Sequence, residues 1–288
     1  MTPQGAAPDR YALVGHPVSH SWSPFIHGLF ARQTGQNMQY RLLDVPPERF
    51  RAEVVQFFVG GGRGLNVTVP HKPAAAEIVS ELTPRATLAR AVNTIRVKGS
   101  SLGLVGDNTD GVGLVVDLTE NLGLALAGRR LLILGAGGAT RGVLGPLLAQ
   151  QPATLVIANR TVARAEELVA EFGSSGPVSA CGFADVEQRP FDLVINATSA
   201  SLQGEVPAIP AGAIDATTVC YDMAYAKGDT PFTLWARERH AGATHKGWGM
   251  LVEQAAEAFL VWRGVRPQTR PVLELLKAGG ADRNVGGH

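Results

Sequence analysis

A glycine-rich segment in the middle of the chain has residue types and spacing that suit phosphate binding. Apolar residues 131–134 run directly into Gly135-Ala136-Gly137-Gly138-Ala139-Thr140, and apolar residues at helical spacing follow. This pattern predicts a buried parallel strand, a tight turn and a helix whose N-terminus faces the turn. Gly135 would permit the turn, while Gly137 and Gly138 would let phosphate oxygens approach bare backbone at the positive end of the helix dipole.

The segment after the next predicted strand bears on the choice of nucleotide. Thr140 stands where the usual motif has its third glycine, so an ordinary strand-to-helix turn is the alternative. The strand at 154–158 ends in Asn159-Arg160-Thr161-Val162-Ala163-Arg164, which contains no carboxylate. A carboxylate there would bind the ribose 2′-OH of NAD, whereas two guanidinium groups bind a 2′-phosphate. Because cations at a helix start oppose the macrodipole, the arginines favour a functional role, and we predict NADP as cofactor.

The composition is that of an ordinary globular protein with about two domains. The 288 residues are 45% hydrophobic and 18% charged, with a formal net charge of +1. We therefore expect no nucleic acid and no membrane as partner, and no apolar run approaches the roughly 18–20 residues of a membrane helix. Cys181 and Cys220 lie far apart, and no His or Cys shows metal-ligand spacing. We expect no metal and a cytoplasmic location, with the oligomeric state, monomer or homodimer, left open.

Strands and helices alternate along most of the chain. Strands are predicted at 11–15, 39–45 and 64–70, and Ser23-Pro24 has the residue types of an N-cap and a first helical position. Residues 93–97 and 101–105 flank Lys98-Gly99-Ser100 as a predicted hairpin, and Asp110 can cap the helix that follows. From the glycine-rich turn onward the alternation predicts a parallel, doubly wound sheet, so the fold class is α/β.

Nine short motifs stand in order between about Tyr11 and Leu276. They are Ser19-His20-Ser21-Trp22-Ser23-Pro24, Asn66-Val67-Thr68-Val69-Pro70-His71-Lys72, Ala91-Val92-Asn93-Thr94, Gly106-Asp107-Asn108-Thr109-Asp110-Gly111, the glycine-rich turn, Asn159-Arg160-Thr161, Asn196-Ala197-Thr198-Ser199, Tyr221-Asp222-Met223-Ala224-Tyr225 and Gly249-Met250-Leu251-Val252-Glu253-Gln254-Ala255. Any one could arise by chance, but the whole set in this order could hardly do so. Together they resemble the shikimate dehydrogenase family, NADP-dependent oxidoreductases that reduce 3-dehydroshikimate to shikimate in aromatic amino-acid biosynthesis.

The resemblance implies a split architecture. An N-terminal α/β domain of residues 1–108 and 247–288 would bind the substrate, and a Rossmann-type domain of residues 109–246 would bind NADP. The C-terminal helices would return to the first domain, and catalysis would take place in the cleft between the two.

The resemblance also implies roles for individual residues. Ketone reduction needs a proton-transfer group beside the nicotinamide, and Lys72 and Asp107 are the predicted pair. Asp107 would orient the Lys72 amine and bind a substrate hydroxyl, with the choice of formal acid–base group left open. Ser21 and Ser23 would bind the substrate carboxylate, although Ser23 has a competing task as N-cap. The hydroxyl-binding residues would be Thr68, Asn93, Gln254 and, from the other domain, Tyr225. Cofactor contacts would come from Gly135, Gly137, Gly138, Ala139, Asn159, Arg160, Thr161, Arg164, Met223 and Gly247.

Two segments depart from the family pattern near the expected nicotinamide end. Lys246-Gly247-Trp248 stands where Asp-Gly is common, and Ser199-Ala200-Ser201-Leu202 lacks a glycine that often follows the preceding motif. Two alternative functions are a paralogue that acts on quinate, with NAD as a possible cofactor, and a non-catalytic NADP-binding sensor. Thr68 and the Asn159, Arg160 and Arg164 set favour the NADP-dependent shikimate enzyme, and the presence of Lys72 and Asp107 argues against the sensor.

Overall fold

The chain folds into two α/β units, each with its own sheet. A computed structural model describes residues 7–99, 103–198, 200 and 204–278. The first unit contains the described residues up to Gly113 and from Val252 onward, and the second runs from Leu114 to Leu251. These limits fall a few residues after the predicted 108 and 246, because each lies inside a helix, Asp110–Val116 or Trp248–Arg263.

The first unit is built on a mixed six-stranded sheet. Its strands are β1 (Asp9–Gly15), β2 (Met38–Asp44), β3 (Gly62–Val67), β4 (Glu81–Leu82), β5 (Thr94–Val97) and β6 (Leu104–Asp107), in the order β2-β1-β3-β5-β6-β4. Its helices are α1 (Ser23–Thr34), α2 (Phe50–Val59), α3 (Lys72–Ile78), α4 (Pro84–Ala89) and the start of α5 (Asp110–Val116), which continues as a π-helical turn, Asp117–Asn121. The core beside this sheet contains Leu65, Val67 and Ile95, which are fully buried or nearly so.

The strand register brings several chain segments to one edge of this sheet. β1 and β3 run parallel, while β5 is antiparallel to β3 and to β6. Asn66 near the end of β3 pairs with Thr94 at the start of β5, and Thr94 pairs with Asp107 at the end of β6. The residues that follow β3, precede β5 and follow β6 therefore lie at the same edge.

The second unit has an all-parallel sheet. It contains β7 (Arg130–Leu134), α6 (Gly138–Leu148), β8 (Thr154–Ala158), α7 (Val162–Phe172), β9 (Val178–Cys181), β10 (Leu193–Asn196), β11 (Val219–Asp222), α8 (Pro231–Glu238), β12 (Ala243–Lys246) and the first turn of α9 (Trp248–Arg263). The rest of α9, from Val252, and α10 (Arg270–Lys277) belong to the first unit. The strand order β12-β11-β10-β7-β8-β9 reverses between β7 and β10, as in a doubly wound dinucleotide-binding fold. The predicted α/β class is confirmed. The apolar run of β7 is completely buried, which explains why it does not alternate.

Two local predictions have different outcomes. The predicted hairpin is present as the antiparallel pair of β5 and β6, although residues 100–102 of its connection lie outside the described residues. The prediction that Ser23 caps α1 is wrong, because Trp22 occupies the cap position and no side chain caps it. Ser23 is already helical, and its hydroxyl accepts a hydrogen bond from Ser21 Oγ at 3.1 Å.

Within the described residues, none of the helices combines the length and the apolar character that crossing a membrane requires.

His27 is a buried histidine in the aromatic cluster beneath α1. Its ring stacks on Tyr40 with centroids 4.3 Å apart and an interplanar angle of 9°, and the Trp262 ring lies 5.3 Å away. Burial lowers the pKa of His27 to about 3, and the nearby Asn66 side chain offsets only a smaller part of this effect. The ring is therefore neutral in the folded protein across the physiological range.

Acid should destabilise the protein through His27. The unfolded chain binds a proton near pH 6.5, whereas the folded chain does so only near pH 3, so stability rises with pH between these values. The slope contributed by one such histidine approaches about 1.4 kcal/mol per pH unit. When the pH is lowered from 7 to 5.5, we expect the free energy of unfolding of His27→Phe, measured by urea titration, to fall by about 1 kcal/mol less than that of the wild type. The exposed His240, replaced by Asn, is the control, and equal pH dependence of His27→Phe and wild type would contradict this assignment.

Candidate active site

Lys72 and Asp110 form an ion pair at the shared edge of the first sheet. Lys72 is the first residue of α3, shortly after β3, and Asp110 is the first residue of α5, shortly after β6. Lys72 Nζ lies 2.5 Å from Asp110 Oδ2, and the two side chains are 27% and 12% exposed. The ammonium group is thus held in place while it remains reachable from solvent.

Asn93 connects this pair to the strands behind it. Its Nδ2 donates to Asp110 Oδ1 at 2.8 Å and to Thr109 Oγ1 at 2.9 Å, and its Oδ1 accepts from Thr109 N at 2.9 Å. Both carboxylate oxygens of Asp110 therefore have a protein donor. Gln254 Oε1, on α9, lies 3.5 Å from Asn93 Nδ2, so two amide groups stand beside the ion pair.

The prediction that Asp107 orients the Lys72 amine is wrong. The Asp107 carboxylate accepts hydrogen bonds from Arg85 Nε at 2.6 Å, Arg85 Nη2 at 2.7 Å and Thr83 Oγ1 at 2.6 Å. Burial alone would raise the pKa of Asp107, but these hydrogen bonds and the charge of Arg85 lower it below its usual value. Asp107 ends β6 facing the start of α4, whereas Asp110 follows the turn and reaches Lys72.

Ser21 and Ser23 are joined to the same edge by a series of hydrogen bonds. The Ser23 hydroxyl, which accepts from Ser21, also contacts the hydroxyl of Tyr40. Burial raises the pKa of Tyr40, so its hydroxyl keeps its proton and donates to Asn66 Oδ1 at 2.7 Å. Asn66 Nδ2 in turn donates to the carbonyl of Asn93 at 3.2 Å. The two predicted groups of substrate residues therefore belong to one connected region.

Thr68 lies beside the carboxyl end of β1. Its backbone N donates to Val14 O at 2.9 Å, and its Cγ2 would be 2.3 Å from a Cβ at Gly15. Within the described part of the chain, its hydroxyl has no hydrogen-bond partner. This hydroxyl is therefore available to a ligand.

In the second unit, the glycine-rich turn has the predicted geometry. Gly135 has a φ of 104°, a left-handed conformation that favours glycine, and α6 begins at Gly138 with no side-chain cap. A Cβ at Gly137 or Gly138 would meet nothing within 4 Å, so the helix start is bare and bordered by open space. Thr140, in place of the third glycine, donates from Oγ1 to Gly135 O at 2.7 Å and so closes the turn.

Five of the predicted cofactor residues line one cavity of about 380 Å³ next to this turn: Gly135, Gly137, Asn159, Arg160 and Arg164. Asn159 holds the site together, because its Oδ1 accepts from Ala136 N at 3.2 Å and its Nδ2 donates to Thr161 O at 2.8 Å. Arg160 and Arg164 are exposed and form no ion pair with any described residue. A bare helix N-terminus and two uncompensated guanidinium groups fit a dinucleotide with an additional phosphate.

The remaining predicted cofactor residues lie beside this cavity or elsewhere in the unit. Gly138 and Thr161 adjoin lining residues in the chain, and Ala139 follows Gly138. Met223 and Gly247 come together, because a Cβ at Gly247 would be 2.3 Å from Met223 O. Ser199, within the second departing segment, lies outside the described residues, as do residues 201–203.

The first departing segment has a clear structural role. Lys246 Nζ donates to Gly228 O at 2.7 Å, and Trp248 Nε1 donates to Ala226 O at 3.2 Å. The Tyr225 ring packs against the Trp248 ring at 4.9 Å, with an angle of 45°. Lys246 and Trp248 therefore stabilise the turn that carries Tyr225.

Comparison with known proteins agrees with this arrangement. Three family models match successive parts of the chain: the shikimate dehydrogenase substrate binding domain at residues 13–95, shikimate / quinate 5-dehydrogenase at 117–204, and the shikimate 5'-dehydrogenase C-terminal domain at 247–277. The chain belongs to the shikimate dehydrogenase family. The resemblance inferred from the sequence motifs is confirmed.

Individual relatives match over nearly their whole length. A protein named shikimate dehydrogenase (NADP(+)) from Methylococcus capsulatus is 59% identical over 271 residues, which cover 94% of this chain and 97% of the relative. One of the same name from Aeromonas hydrophila subsp. hydrophila is 56% identical over 278 residues, covering 96% and 99%. The solved shikimate 5-dehydrogenase from Thermus thermophilus, in complex with NADP(H) and shikimate, has a TM-score of 0.81 and 30% identity, covering 94% and 99%.

Sequence reasoning missed several members of the site. Asp110 was assigned only to helix capping, although it stands in the same motif as Asp107. Asn66 also lies in a quoted motif, and the alternation of β3 gave no sign that its side chain reaches Asn93. No sequence feature distinguishes Tyr40 from any other aromatic residue of a strand, so its place in the site could not be predicted.

Replacement of Gly247 by alanine should destabilise the protein, whereas replacement of Gly137 should not. We expect Gly247→Ala to lower the free energy of unfolding by about 1–3 kcal/mol, since the new methyl group would collide with the Met223 carbonyl. Gly137→Ala should change it by less than about 0.5 kcal/mol, because its Cβ meets nothing and its φ of −91° suits alanine. Urea titrations of both variants test this pair, and similar losses in both would contradict the steric argument.

Proposed function

We propose that the chain catalyses the reversible NADP-dependent reduction of 3-dehydroshikimate to shikimate, with Lys72 and Asp110 handling the proton. The observation that carries this proposal is the 2.5 Å ion pair of Lys72 and Asp110, in a family whose relatives bear that activity in their names. In this proposal the first unit binds the substrate and the second binds the cofactor.

Lys72 is the better candidate for the group that touches the reacting oxygen. Asp110 has both oxygens engaged, one by Lys72 and one by Asn93. An ammonium group has three N–H donors, and Asp110 takes one of them, so others remain for a substrate oxygen. In the reduction, Lys72 would donate a proton to the carbonyl oxygen as the carbon accepts hydride, and Asp110 would hold the amine in place. In the oxidation, the neutral amine would take the hydroxyl proton.

The substrate's carboxylate and hydroxyls would be bound by neutral polar groups. Ser21 and Ser23 are supported for the carboxylate, because the Ser23 hydroxyl is not used as a helix cap and Ser21 lies beside it, accepting from Ser23 N at 3.2 Å. Asn93 and Gln254 are supported for ring hydroxyls by their position beside Lys72, and Thr68 by its unpartnered hydroxyl. Tyr225, which is held by Trp248, stays a prediction as a further substrate contact.

NADPH, when bound, supplies the hydride. The bare start of α6 would bind its diphosphate through backbone N–H groups, and Arg160 and Arg164 would bind its 2′-phosphate. Asn159 would hold the glycine-rich turn and the turn that follows β8 together through its side-chain hydrogen bonds. Met223 and Gly247 are proposed at the nicotinamide end.

The cytoplasmic location and the monomeric or homodimeric state stay predictions. Both cysteines, Cys181 and Cys220, are free thiols, as a reducing compartment would require.

Turnover with two substrates and two cofactors tests the activity. We expect NADPH formation from shikimate and NADP⁺ to be much faster than any reaction with quinate or NAD⁺. Lys72→Met should lower kcat about 100- to 10,000-fold, with a much smaller change in KM for shikimate, because the proton donor is lost while the binding groups remain. Lys98→Met, at an exposed lysine paired with Glu81, is the control and should keep full activity.

Other outcomes would replace the proposal. Faster turnover of quinate would identify the paralogue, and shikimate or NADP binding without any turnover would identify the sensor. Full activity in Lys72→Met would remove Lys72 from the chemistry.

Cofactor choice should depend on the two arginines that line the cavity. Each contact of a guanidinium with a phosphate contributes about 1.5–3 kcal/mol, so Arg160→Ala and Arg164→Ala should each raise KM for NADP⁺ about tenfold or more. KM for NAD⁺ should stay unchanged, since NAD⁺ has no 2′-phosphate. Arg129→Ala, which removes an exposed ion pair with Asp192 in the same unit, is the control. Equal losses with both cofactors would show that the arginines contact a part that NAD⁺ and NADP⁺ share.

A further inference from the structure

Arg85 occupies the centre of a charged network behind the Lys72–Asp110 pair. It is the second residue of α4, whose N-terminus is capped by Thr83. Its Nε and Nη2 bind the two oxygens of Asp107 in a fork, and its Nη1 donates to Glu257 Oε1 at 2.8 Å. One guanidinium group therefore joins the end of β6 to helix α9.

On one side, this network anchors the turn that presents Asp110. Asp107 also accepts from the backbone N of Asn108 at 2.8 Å. The side chain of Asn108 donates to Ala91 O at 3.1 Å and accepts from Asp110 N at 3.1 Å. Every residue from Asp107 to Asp110 thus forms a hydrogen bond that holds it in place, and the contact of Arg85 with Asp107 is the first of this series.

On the other side, the network fixes helix α9 near Gln254. Glu257 lies one helical turn after Gln254, and its second oxygen accepts from Arg266 Nη1 at 2.9 Å. Arg266 also binds the buried Glu253 at 2.9 Å. The backbone of Gln254 passes so close to Gly113 that a Cβ there would be 2.6 Å from Gln254 N. A shift of α9 would therefore move Gln254 and press on α5, which begins with Asp110.

Such a network is a poor means of stabilisation. Burial alone would lower the pKa of Arg85, yet the hydrogen bonds and charges of Asp107 and Glu257 raise it, so the group is always charged. Desolvating paired charges commonly costs as much as their attraction returns, whereas their directional hydrogen bonds fix geometry. The arrangement suits a role in orientation.

We infer that Arg85 is a positioning residue that, through Asp107 and Glu257, holds Asp110 and Gln254 in the arrangement that the Lys72 reaction needs. This inference rests on the proposed function. In this inference Asp107 has a different role from the predicted one. It orients the turn that presents Asp110 and does not contact the substrate.

Arg85→Lys is the direct test, because it keeps the charge but loses the fork that binds Asp107. We expect kcat for shikimate oxidation to fall about 10- to 100-fold, while KM for NADP⁺ stays unchanged, since misplacement of a reacting group lowers the rate steeply. The pH profile of kcat should change as well, because the geometry of the proton-transfer pair is altered. Arg237→Lys is the matched control, because Arg237 binds both oxygens of Asp229 in a similar fork but lies in the second unit, outside this network. It should keep the wild-type rate and pH profile.

A second readout does not depend on turnover. In nitrogen-15 NMR of the lysine ammonium groups at one fixed pH, the Lys72 signal, assigned by its loss in Lys72→Met, should have a different chemical shift in Arg85→Lys than in the wild type. Glu257→Gln, a milder change, should shift the rate and this signal in the same direction and decides the matter if Arg85→Lys does not fold.

The outcomes separate this inference from the proposed function. If the wild type is active and both Arg85→Lys and Glu257→Gln keep its kcat, pH profile and Lys72 chemical shift, the inference alone would be overturned. Equal changes in Arg237→Lys would show that the loss of any such arginine fork has this effect, and would also overturn the inference. A wild type that does not oxidise shikimate would overturn the proposed function, and the Lys72 chemical shift would still show whether Arg85 positions the pair.

Discussion

The ion pair between Lys72 and Asp110 depends on the strand register of the first sheet. Lys72 follows a strand, Asn93 precedes a strand that runs the opposite way, and Asp110 follows a third. Because β5 is antiparallel to both neighbours, its beginning lies at the same edge as their ends. A shift of one residue between β3 and β5 would reverse which side chains face each other and would break the contacts of Asn93 with Asp110.

Two carboxylates of one motif take different roles because of their surroundings. Asp107 is enclosed by donors from Arg85 and Thr83, which hold the pKa of its carboxyl below the usual value, so it serves as a charged anchor. Asp110 has one donor on each oxygen, and one of these is an ammonium that solvent can still reach. Residue type alone makes the two equivalent candidates, and hydrogen-bond partners from distant parts of the chain distinguish them.

In the second unit, the candidate cofactor site is formed mainly by the backbone. Gly135 turns the chain, Gly137 leaves the start of α6 bare, and Thr140 closes the turn from within. Side chains enter only at the far end of the cavity, where Arg160 and Arg164 stand without counter-ions among the described residues. The non-standard Lys246 and Trp248 stabilise the neighbouring turn through its carbonyls, so their departure from the family pattern has a local structural reason.

The sequence by itself determined the parts that depend on local pattern. The apolar run of β7, the glycines after it and the arginines after β8 predicted a dinucleotide-binding half, since strand, turn and helix start are contiguous in the chain. The motifs likewise identified the family and predicted a role for Lys72. Only the tertiary structure decided that Lys72 meets Asp110 and not Asp107, that Ser23 is free of capping, and that Tyr40 and Asn66 link the serines to Asn93. These contacts join residues far apart in sequence, and strand register and side-chain direction, which no short motif encodes, determine them.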